Sequence, residues 1–252
     1  HWTGVYAAGE NGAYSYAYAA SATGTPQTLV RVAGAETEIA VGGSVLAISM
    51  NGANDVLHSR AQRNGSVTTS RVGLFQGGTD TVLASTTQSP APYVGAFGDV
   101  ALSEDGRFGY RSVFGSAVTG RPGASVSTSG VGAVGSIAML PDDRALVTRF
   151  AGSINQIIRI APDGTGTVVV AASGSGPVRG LGQLRTDGAG NAYCRGRNAT
   201  GNTLFRLTTG GVVEDLESWL PDRNLGDDLS VSADGSVAFT ASVLGTFGVY
   251  AR

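Results

Sequence analysis

The chain has 252 residues, with 17 basic and 19 acidic side chains and a formal net charge of −2. One core of this size buries enough surface for stability without disulfides or metals, and the single cysteine, Cys194, excludes an internal disulfide and a paired-cysteine metal site. Near-neutral charge without arginine clusters disfavours a nucleic-acid or anionic-membrane surface, and no apolar run reaches the roughly 18 residues of a membrane span. All basic residues are arginine, and 39 residues are glycine, about twice the usual share.

Two stretches of the chain, Asp99–Phe108 and Asp228–Val237, are near copies of each other. Each combines a short apolar strand, the motif Ser-x-Asp-Gly and a second apolar strand. Weaker copies of the turn recur at intervals of 40, 54, 37, 45 and 47 residues. The six turn positions are Asn11, Asn51, Asp105, Asp142, Asp187 and Asp234. The sequence therefore predicts six repeats, which begin near residues 4, 44, 98, 135, 180 and 227.

Short strands are predicted on both sides of each turn, at the spacing of about 8 to 12 residues that is typical of all-β proteins. The predicted second strands are 14–19, 56–60, 108–113, 145–150, 192–195 and 237–242; the third are 28–32, 157–160, 203–207 and 247–250; the fourth are 38–41, 81–84, 167–171 and 212–216. We expect two-residue hairpin turns at the Asp-Gly and Asn-Gly pairs, because glycine and asparagine tolerate positive φ. The third repeat, about 99–128, is predicted to be one strand short, and the last to end after its third strand. Only Glu214–Leu220 is compatible with a helix.

Six repeats of about four antiparallel strands resemble the six-bladed β-propellers grouped as TolB-like, NHL-like and WD40-like. The motif Ser-x-Asp-Gly-Arg-Phe resembles the TolB-type repeat, and Asp187–Tyr193 followed by Leu204–Leu207 resembles an NHL or lyase-type blade. The resemblance covers nearly the whole chain and implies one all-β propeller domain, 1–252. Its motifs specify blade geometry and not chemistry. A large β-sandwich or a parallel β-solenoid is the alternative, although a solenoid would have shorter, more even repeats.

The residue types most often used in catalysis fall at one position of the repeat. The second strands align Tyr16, His58, Tyr110, Val147, Cys194 and Phe239 in one column of inward-packing residues. We therefore expect His58 to replace a core aromatic with its ring nitrogens hydrogen-bonded, and Cys194 to pack as a small hydrophobe. The remaining histidine is terminal, so no Ser-His-Asp arrangement can be assembled, and without lysine there is no phosphate-binding loop of the usual kind.

Two regions carry residues that metal ions prefer. His1 can chelate copper through its amine and ring nitrogens, but the fold does not resemble the copper-dependent oxidases that use such a site, and a terminal histidine equally fits the end of a purification tag. Asp222, Asp227 and Asp228 suggest a calcium site, or a solvated acidic surface, because their spacing matches no EF-hand loop. Asp99 and Asp228 share one repeat position, where they could bind a cation or a ligand amine, or accept hydrogen bonds from backbone amides.

The loops after the second and fourth strands of a propeller share one face, called here the loop face. Aromatic and arginine side chains on such loops are typical of binding hot spots. The candidate ligand-binding residues are Tyr93, Phe97, Arg121, Arg179, Trp219, Asp222 and Arg223. Arg197 is predicted on the same face. Asn64-Gly-Ser66 and Asn198-Ala-Thr200 fit the N-glycosylation pattern.

Few catalytic residue types, low charge and small-residue loops predict a non-catalytic recognition or assembly module. We expect it to be extracellular or on a particle surface, and to bind a glycan or a protein through the loop face, alone or within a larger assembly or longer chain. No cofactor is predicted beyond the calcium site. A secreted propeller enzyme, either a lyase or a metal-assisted lactonase, is the alternative, and an N-terminal copper protein is a further one.

Overall fold

The computed structural model describes residues 2–9, 12–19, 27–89, 97–112, 115–151, 154–220, 224–243 and 246–252. Within these ranges the chain forms short β-strands and a single turn of 3-10 helix, Glu217–Trp219, which lies inside the segment where the sequence allowed a helix. No helix in the described ranges is long and apolar enough to cross a membrane.

The chain divides into two compact units. The first unit contains residues 1–113 and 118–126, and the second contains residues 114–117 and 127–252. The strands that begin before residue 127 are β1 Trp2–Ala8, β2 Tyr14–Ala19, β3 Gln27–Ala33, β4 Ala35–Val41, β5 Ser44–Met50, β6 Val56–Asn64, β7 Val67–Gln76, β8 Thr79–Gln88, β9 Val100–Leu102, β10 Phe108–Arg111 and β11 Ala117–Gly120. The later strands are β12 Ser127–Ser129, β13 Val134–Met139, β14 Ala145–Ala151, β15 Ile154–Ile160, β16 Gly166–Ala171, β17 Gly180–Thr186, β18 Ala192–Arg197, β19 Asn202–Leu207, β20 Val213–Asp215, β21 Asn224–Val231, β22 Val237–Val243 and β23 Thr246–Ala251.

Six sheets follow one another along the chain, and each keeps its strands in sequence order. Five have four strands, β1–β4, β5–β8, β9–β12, β13–β16 and β17–β20, and the last has the three strands β21–β23 in the described part of the chain. The chain is thus an all-β six-bladed propeller, as predicted. The expectation that the third repeat lacks a strand is wrong, because β12 is only three residues long and its Ser-Thr-Ser sequence has no apolar alternation.

The predicted column of second-strand residues is one structural position. Each member lies opposite a first-strand residue: Tyr16 pairs with Tyr6, His58 with Ile48, Tyr110 with Val100, Val147 with Ile137, Cys194 with Leu184, and Phe239 with Leu229. In five of the six pairs the first strand has a bulge or irregularity just before this residue. The shared register confirms the alignment of the six repeats at this position.

The turn between the first and second strands has three residues and not the predicted two. In the third sheet the amide of Ser103 donates to the carbonyl of Arg107, and the amide of Gly106 donates to the carbonyl of Ser103. Gly106 has a φ of 79°, and Gly235 in the last sheet has a φ of 87°. Such a loop needs a left-handed residue only at its last position, which explains why aspartate is tolerated before the glycine.

The turns at Asn51 and Asp187 are aligned two residues away from their predicted register. Their left-handed residues are Asn54 and Gly190, so Asn51 and Asp187 correspond to Ser103 and not to Asp105. The three equivalent side chains make the same hydrogen bond. The amides of Asp55, Asn191 and Arg107 donate to Asn51 Oδ1, Asp187 Oδ1 and Ser103 Oγ at 2.9, 2.8 and 2.9 Å.

Each unit buries its core between neighbouring sheets. In the first unit, one cluster contains Ala17, Leu29, Ile48, Val56 and Phe75, and another contains Leu57, Val72, Val100, Phe108 and Tyr110. In the second unit, one cluster contains Leu146, Ile157, Leu184, Cys194 and Phe205, and another contains Tyr193, Leu204, Leu229, Val237 and Phe239. The second sheet contributes to both clusters of the first unit, and the fifth to both clusters of the second, so these sheets are apolar on both faces.

The first sheet carries a ladder of tyrosines on one face of β2. The rings of Tyr14, Tyr16 and Tyr18 follow one another with centroids 5.9 and 6.0 Å apart. Tyr16 Oη donates to Glu36 Oε1 at 2.6 Å. This hydrogen bond to a carboxylate, together with the nearby negative charge, raises the pKa of Tyr16 to about 12.

We expect Tyr16 to ionise about two pH units above an ordinary tyrosine, whose pKa is 10.0. The difference in ultraviolet absorbance between the wild-type protein and Tyr16→Phe isolates this one phenol during an alkaline titration. Because the folded pKa is the higher one, the stabilisation is complete below pH 10 and is lost as the pH rises towards 12. Glu36→Gln should move the midpoint back towards 10, and a wild-type midpoint already at 10 would contradict the assignment.

Candidate functional site

A cleft of about 230 Å³ lies over the first residues of β17 in the fifth sheet. Its lining residues come from β15, β17, β18, β19 and β21, all in the second unit. They include Asn155, Gly180, Gly182, Arg195, Arg197 and Asn202. The cleft is at the end of the sheet that carries the β18–β19 loop, which is the predicted loop face.

Glycines lie at close approaches of the backbone around this cleft. Gly196 has no room for a side chain, because a Cβ there would collide with the carbonyl oxygen of Gly180 and lie 2.7 Å from the ring of Phe205. A Cβ on Gly180 would be 3.6 Å from the Cβ and Cγ of Arg197, so the aliphatic part of Arg197 lies beside bare backbone. The floor of the cleft is therefore formed by backbone, with arginine side chains beside it.

Arg195 and Arg197 are two residues apart on β18 and so lie on the same face of the strand. Arg195 Nη2 donates to the carbonyl oxygen of Leu225 at 3.4 Å, which directs the guanidinium towards β21. The carbonyl of Arg197 accepts a hydrogen bond of 2.7 Å from the amide of Arg179, and this joins the loop before β17 to the end of β18. Three arginines thus meet at one end of the fifth sheet, and Arg179 and Arg197 are exposed.

Two carboxylates near the same end of this sheet, those of Asp215 and Glu217, accept hydrogen bonds from neutral side chains. Asn198 Nδ2 donates to Asp215 Oδ2 at 2.8 Å and to Glu217 Oε2 at 2.7 Å. Thr203 Oγ1 donates to Asp215 Oδ1 at 2.5 Å, and Thr200 Oγ1 lies 3.1 Å from Glu217 Oε2. Asn198, the acceptor residue of a predicted glycosylation motif, therefore uses its amide group within the fold. Among the described residues that line the cleft, the polar side chains are arginine and asparagine, which suits an anionic ligand.

The four described candidates for the loop face lie in four different settings. Phe97 is 5% exposed and packs edge-on against Tyr110 in the core, with ring centroids 5.6 Å apart. Arg121 lies at the opposite end of its sheet, because Arg121 Nη2 donates to Asp105 Oδ2 in the β9–β10 turn at 2.9 Å. Trp219 is half-buried and packs against the core of the last two sheets. Arg179 alone of these four lies beside the cleft.

The structure describes the other candidate positions only in part. Tyr93, Asp222, Arg223 and His1 lie outside the described residues, and Asp227 and Asp228 are described as backbone of β21 only. Asp99 is half-buried, and its carbonyl accepts a hydrogen bond from the amide of Arg111 at 3.0 Å. Where side chains are described, no three histidine, cysteine or acidic residues group as they would around a metal ion. The calcium and copper sites stay predictions.

His58 is completely buried, as predicted, and only one of its ring nitrogens is hydrogen-bonded. Nε2 lies 3.0 Å from Asp80 Oδ1, whereas Nδ1 is buried without a hydrogen-bond partner. Burial alone would raise the pKa of Asp80, but the hydrogen bond and charge of His58, with the charges of Arg60 and Arg71, hold it below its usual value. An ionised carboxylate only accepts hydrogen bonds, so Nε2 carries the proton in this pair.

Gly73 makes the contact between His58 and Asp80 possible. It lies opposite His58 on β7, the strand between β6 and β8. A Cβ on Gly73 would be 2.5 Å from His58 Nε2 and 2.7 Å from Asp80 Oδ1. The imidazole therefore crosses bare backbone to reach a carboxylate on the outer strand. This arrangement is structural, and it is distant in sequence from every residue of the cleft.

Cys194 is buried in the core of the second unit, also as predicted. Its Sγ donates to the carbonyl of Arg195 at 3.0 Å. Burial raises the pKa of the thiol to about 12, which removes the thiolate needed for nucleophilic chemistry at neutral pH. Neither reactive side chain flagged in the sequence is thus available to the cleft.

Sequence reasoning missed Arg195, Gly196 and Asn155 as parts of the site. Arg195 follows Cys194 on β18 and therefore lies on the opposite face of the strand, for which the sequence indicates no partner. The available signal was Arg195-Gly196-Arg197 on one strand, together with Gly180 and Gly182 on the strand before it. Alternating glycine and arginine in paired strands indicates backbone that stays open beside positive charge.

No protein-family model and no curated protein matches this chain. Solved structures match over most of its length. TolB from Acinetobacter baumannii matches with a TM-score of 0.62 and 13% identity, covering 90% of this chain and 57% of that one. A chain of a nidogen–laminin complex matches at 0.55 and 12%, covering 85% and 82%, and a gluconolactonase from Xanthomonas campestris at 0.51 and 13%, covering 85% and 79%. These likenesses show the propeller fold, shared by proteins of different functions.

Proposed function

We propose that the protein is a non-catalytic recognition module that binds a carboxylate group of a protein partner in the cleft over β17. The observation that carries this proposal is the pair Arg195 and Arg197 on one face of β18, beside a floor of glycine backbone. A planar guanidinium binds a carboxylate through two parallel hydrogen bonds, and arginines two residues apart can engage one acidic group from both sides.

Two further observations support recognition over catalysis. His58 is buried against Asp80, and Cys194 is buried with a raised pKa, so neither contributes a base or a nucleophile to the cleft. The matches to TolB and to a nidogen–laminin complex favour a protein as the source of the carboxylate. An extracellular or surface location and membership of a larger assembly belong to the same proposal, and they rest on composition alone.

Titration with N-acetyl-glutamate tests the proposal, with its neutral diamide, N-acetyl-glutamine amide, as the matched control. We expect the Nε–H resonances of Arg195 and Arg197 to shift with the first compound and not with the second. Arg206, whose Nε already donates to Glu214 Oε2 at 2.7 Å, should not move. Arg197→Ala should weaken binding about tenfold, the usual consequence of removing one hydrogen bond to a charged group. Equal shifts with both compounds would contradict the proposal.

Two variants separate loss of binding from loss of folding. Arg144 is exposed and paired with Asp142, so Arg144→Ala removes one surface charge without touching the cleft and should bind normally. Arg197→Lys keeps the charge and introduces the only lysine of the chain. An amine-reactive label on that lysine should be blocked by N-acetyl-glutamate, and unchanged labelling would count against the cleft. Glucuronate in place of N-acetyl-glutamate tests an acidic glycan as the source.

An enzymatic function is the second candidate, because the match to a gluconolactonase fits the fold equally well. Its residues would be Asp99 and Asp228, which share one repeat position. Stoichiometric calcium or zinc in untagged protein, with hydrolysis of a sugar lactone that Asp99→Asn abolishes, would favour this candidate over recognition. Bound copper that is lost on His1→Ala would favour the N-terminal metal site instead.

A further inference from the structure

The hairpin between β6 and β7 ends in an exposed Asn-Gly pair. Asn64 pairs with Val67 as the last rung of the ladder, so Gly65 and Ser66 form the tip. Both residues and Asn64 are exposed. Gly65 has a φ of 60°, and no atom lies within 4 Å of the position where its Cβ would be. The side-chain amide of Asn64 and the following backbone amide are therefore at an open, uncrowded site.

A second Asn-Gly pair in the same sheet has the opposite environment. Asn51 is 1% exposed, its Oδ1 accepts a hydrogen bond from the amide of Asp55, and its Nδ2 donates towards Asp55 Oδ2 and the carbonyl of Ser103. The amide of Gly52 donates to Glu104 Oε2 at 2.6 Å. The side chain and the backbone nitrogen that follows it are both held in place.

We propose that Asn64 is a site of spontaneous deamidation, whereas the fold protects Asn51. The backbone nitrogen of Gly65 attacks Cγ of Asn64 and loses its proton to water, and ammonia leaves from Cγ, which closes a five-membered imide. Water then opens the imide at either carbonyl, giving aspartate or isoaspartate. The balance is one water consumed and one ammonia released, so no enzyme, oxidant or cofactor is required. Glycine favours the ring closure because it has no side chain to obstruct the attack.

The modification adds a negative charge to the tip of a long hairpin. Arg63 Nε donates to the carbonyl of Gly65 at 3.0 Å, so an arginine already lies next to the new carboxylate. Conversion of Asn64 also removes the acceptor of the Asn64-Gly-Ser66 glycosylation motif. The inference is independent of the cleft on the fifth sheet, which lies in the other unit of the chain.

Peptide mapping of aged protein tests the proposal directly. The folded protein, made in a bacterial host, is incubated in mildly alkaline buffer and sampled over time. Because the chain has no lysine, trypsin cleaves only after arginine and releases residues 64–71, in which Asn64 is the only amide side chain. Asn51 is released in the peptide 32–60. We expect Asn64 to gain one mass unit at least about tenfold faster than Asn51, since Asn51 must first be freed by local opening.

Peptide mapping of protein aged in denaturant is the control for the effect of local sequence on the deamidation rate. Both sites are Asn-Gly, so their rates should converge once the fold is lost. On ion exchange of the intact protein, the acidic species that accumulates should be absent in Asn64→Gln and unchanged in Asn198→Gln. If Asn64 stays intact in the native protein for as long as Asn51 does, or if the acidic species persists in Asn64→Gln, the proposal is wrong.

Discussion

Gly73→Ala should lower the free energy of unfolding by about 2 kcal/mol, the usual cost of leaving a buried polar group without its hydrogen bond. The added methyl group would lie 2.5 Å from His58 Nε2 and 2.7 Å from Asp80 Oδ1, so the imidazole and the carboxylate have to separate. His58 is then fully buried with neither ring nitrogen bonded, and Asp80, 18% exposed, loses its donor. Urea unfolding followed by tryptophan fluorescence measures the loss.

The control for Gly73→Ala is a glycine in open space. Gly130 does not have a positive φ, and no atom lies within 4 Å of the position of its Cβ. Gly130→Ala should change stability by less than about 1 kcal/mol, or stabilise slightly by restricting the unfolded chain. In a His58→Ala background, Gly73→Ala should cost much less than alone, because the nearer of the two atoms it collides with is gone and no imidazole is left unpaired. Equal costs in the two backgrounds would show that the pair is not what Gly73 protects.

Cys194 should react with a thiol reagent at least about 1,000-fold more slowly in the folded protein than in the unfolded chain at pH 8. The factor follows from the pKa, which burial raises from 9.0 to about 12, because the thiolate fraction falls tenfold with each unit. Since the folded pKa is the higher one, the fold is also expected to lose stability as the pH rises above 9. Absorbance of the released aromatic thiol from a disulfide reagent gives the rate.

A surface cysteine provides the reference rate for this measurement. Ser175 is exposed in the loop before β17, so the double variant Ser175→Cys, Cys194→Ala should react at the rate of a free thiol. Adding urea should accelerate the labelling of Cys194 in step with global unfolding and leave the reference thiol unchanged. Labelling of Cys194 at the reference rate in native buffer would place it outside the core.

Periodicity was sufficient to predict most of the strands, because the turns that separate them depend on local residues, but β7, β11 and β12 were not identified. Ser103-Glu-Asp-Gly106 and Ser232-Ala-Asp-Gly235 are recognisable from their letters alone. At Asn51 and Asp187 the alignment slipped by two residues, since serine, asparagine and aspartate all accept the same backbone hydrogen bond and the left-handed residue can be asparagine or glycine. The residue types therefore predict the presence of a turn correctly, but they do not decide which residue occupies which position of the turn.

The cleft is less accessible to sequence reasoning, because it depends on space left empty between distant strands. Gly180 and Gly196 are required because a side chain at either position would meet neighbouring atoms. Asn155 and Asn202 line the same cleft from different sheets. The partner of His58 is likewise hidden, since Asp80 is 22 residues away and on the outer strand. Burial of His58 could be predicted from its column, whereas the residue that binds it could not.

The bond that crosses Gly73 changes the behaviour of the outer strand of the second sheet. An edge strand is normally held on one side only, by its ladder to the neighbouring strand, and is the first to detach when a sheet opens. β8 has a second attachment, from Asp80 past β7 to His58 on β6. Detachment of its first residues would leave the buried imidazole of His58 without its hydrogen-bond partner. We therefore expect β8 to open together with the centre of its sheet and not before it.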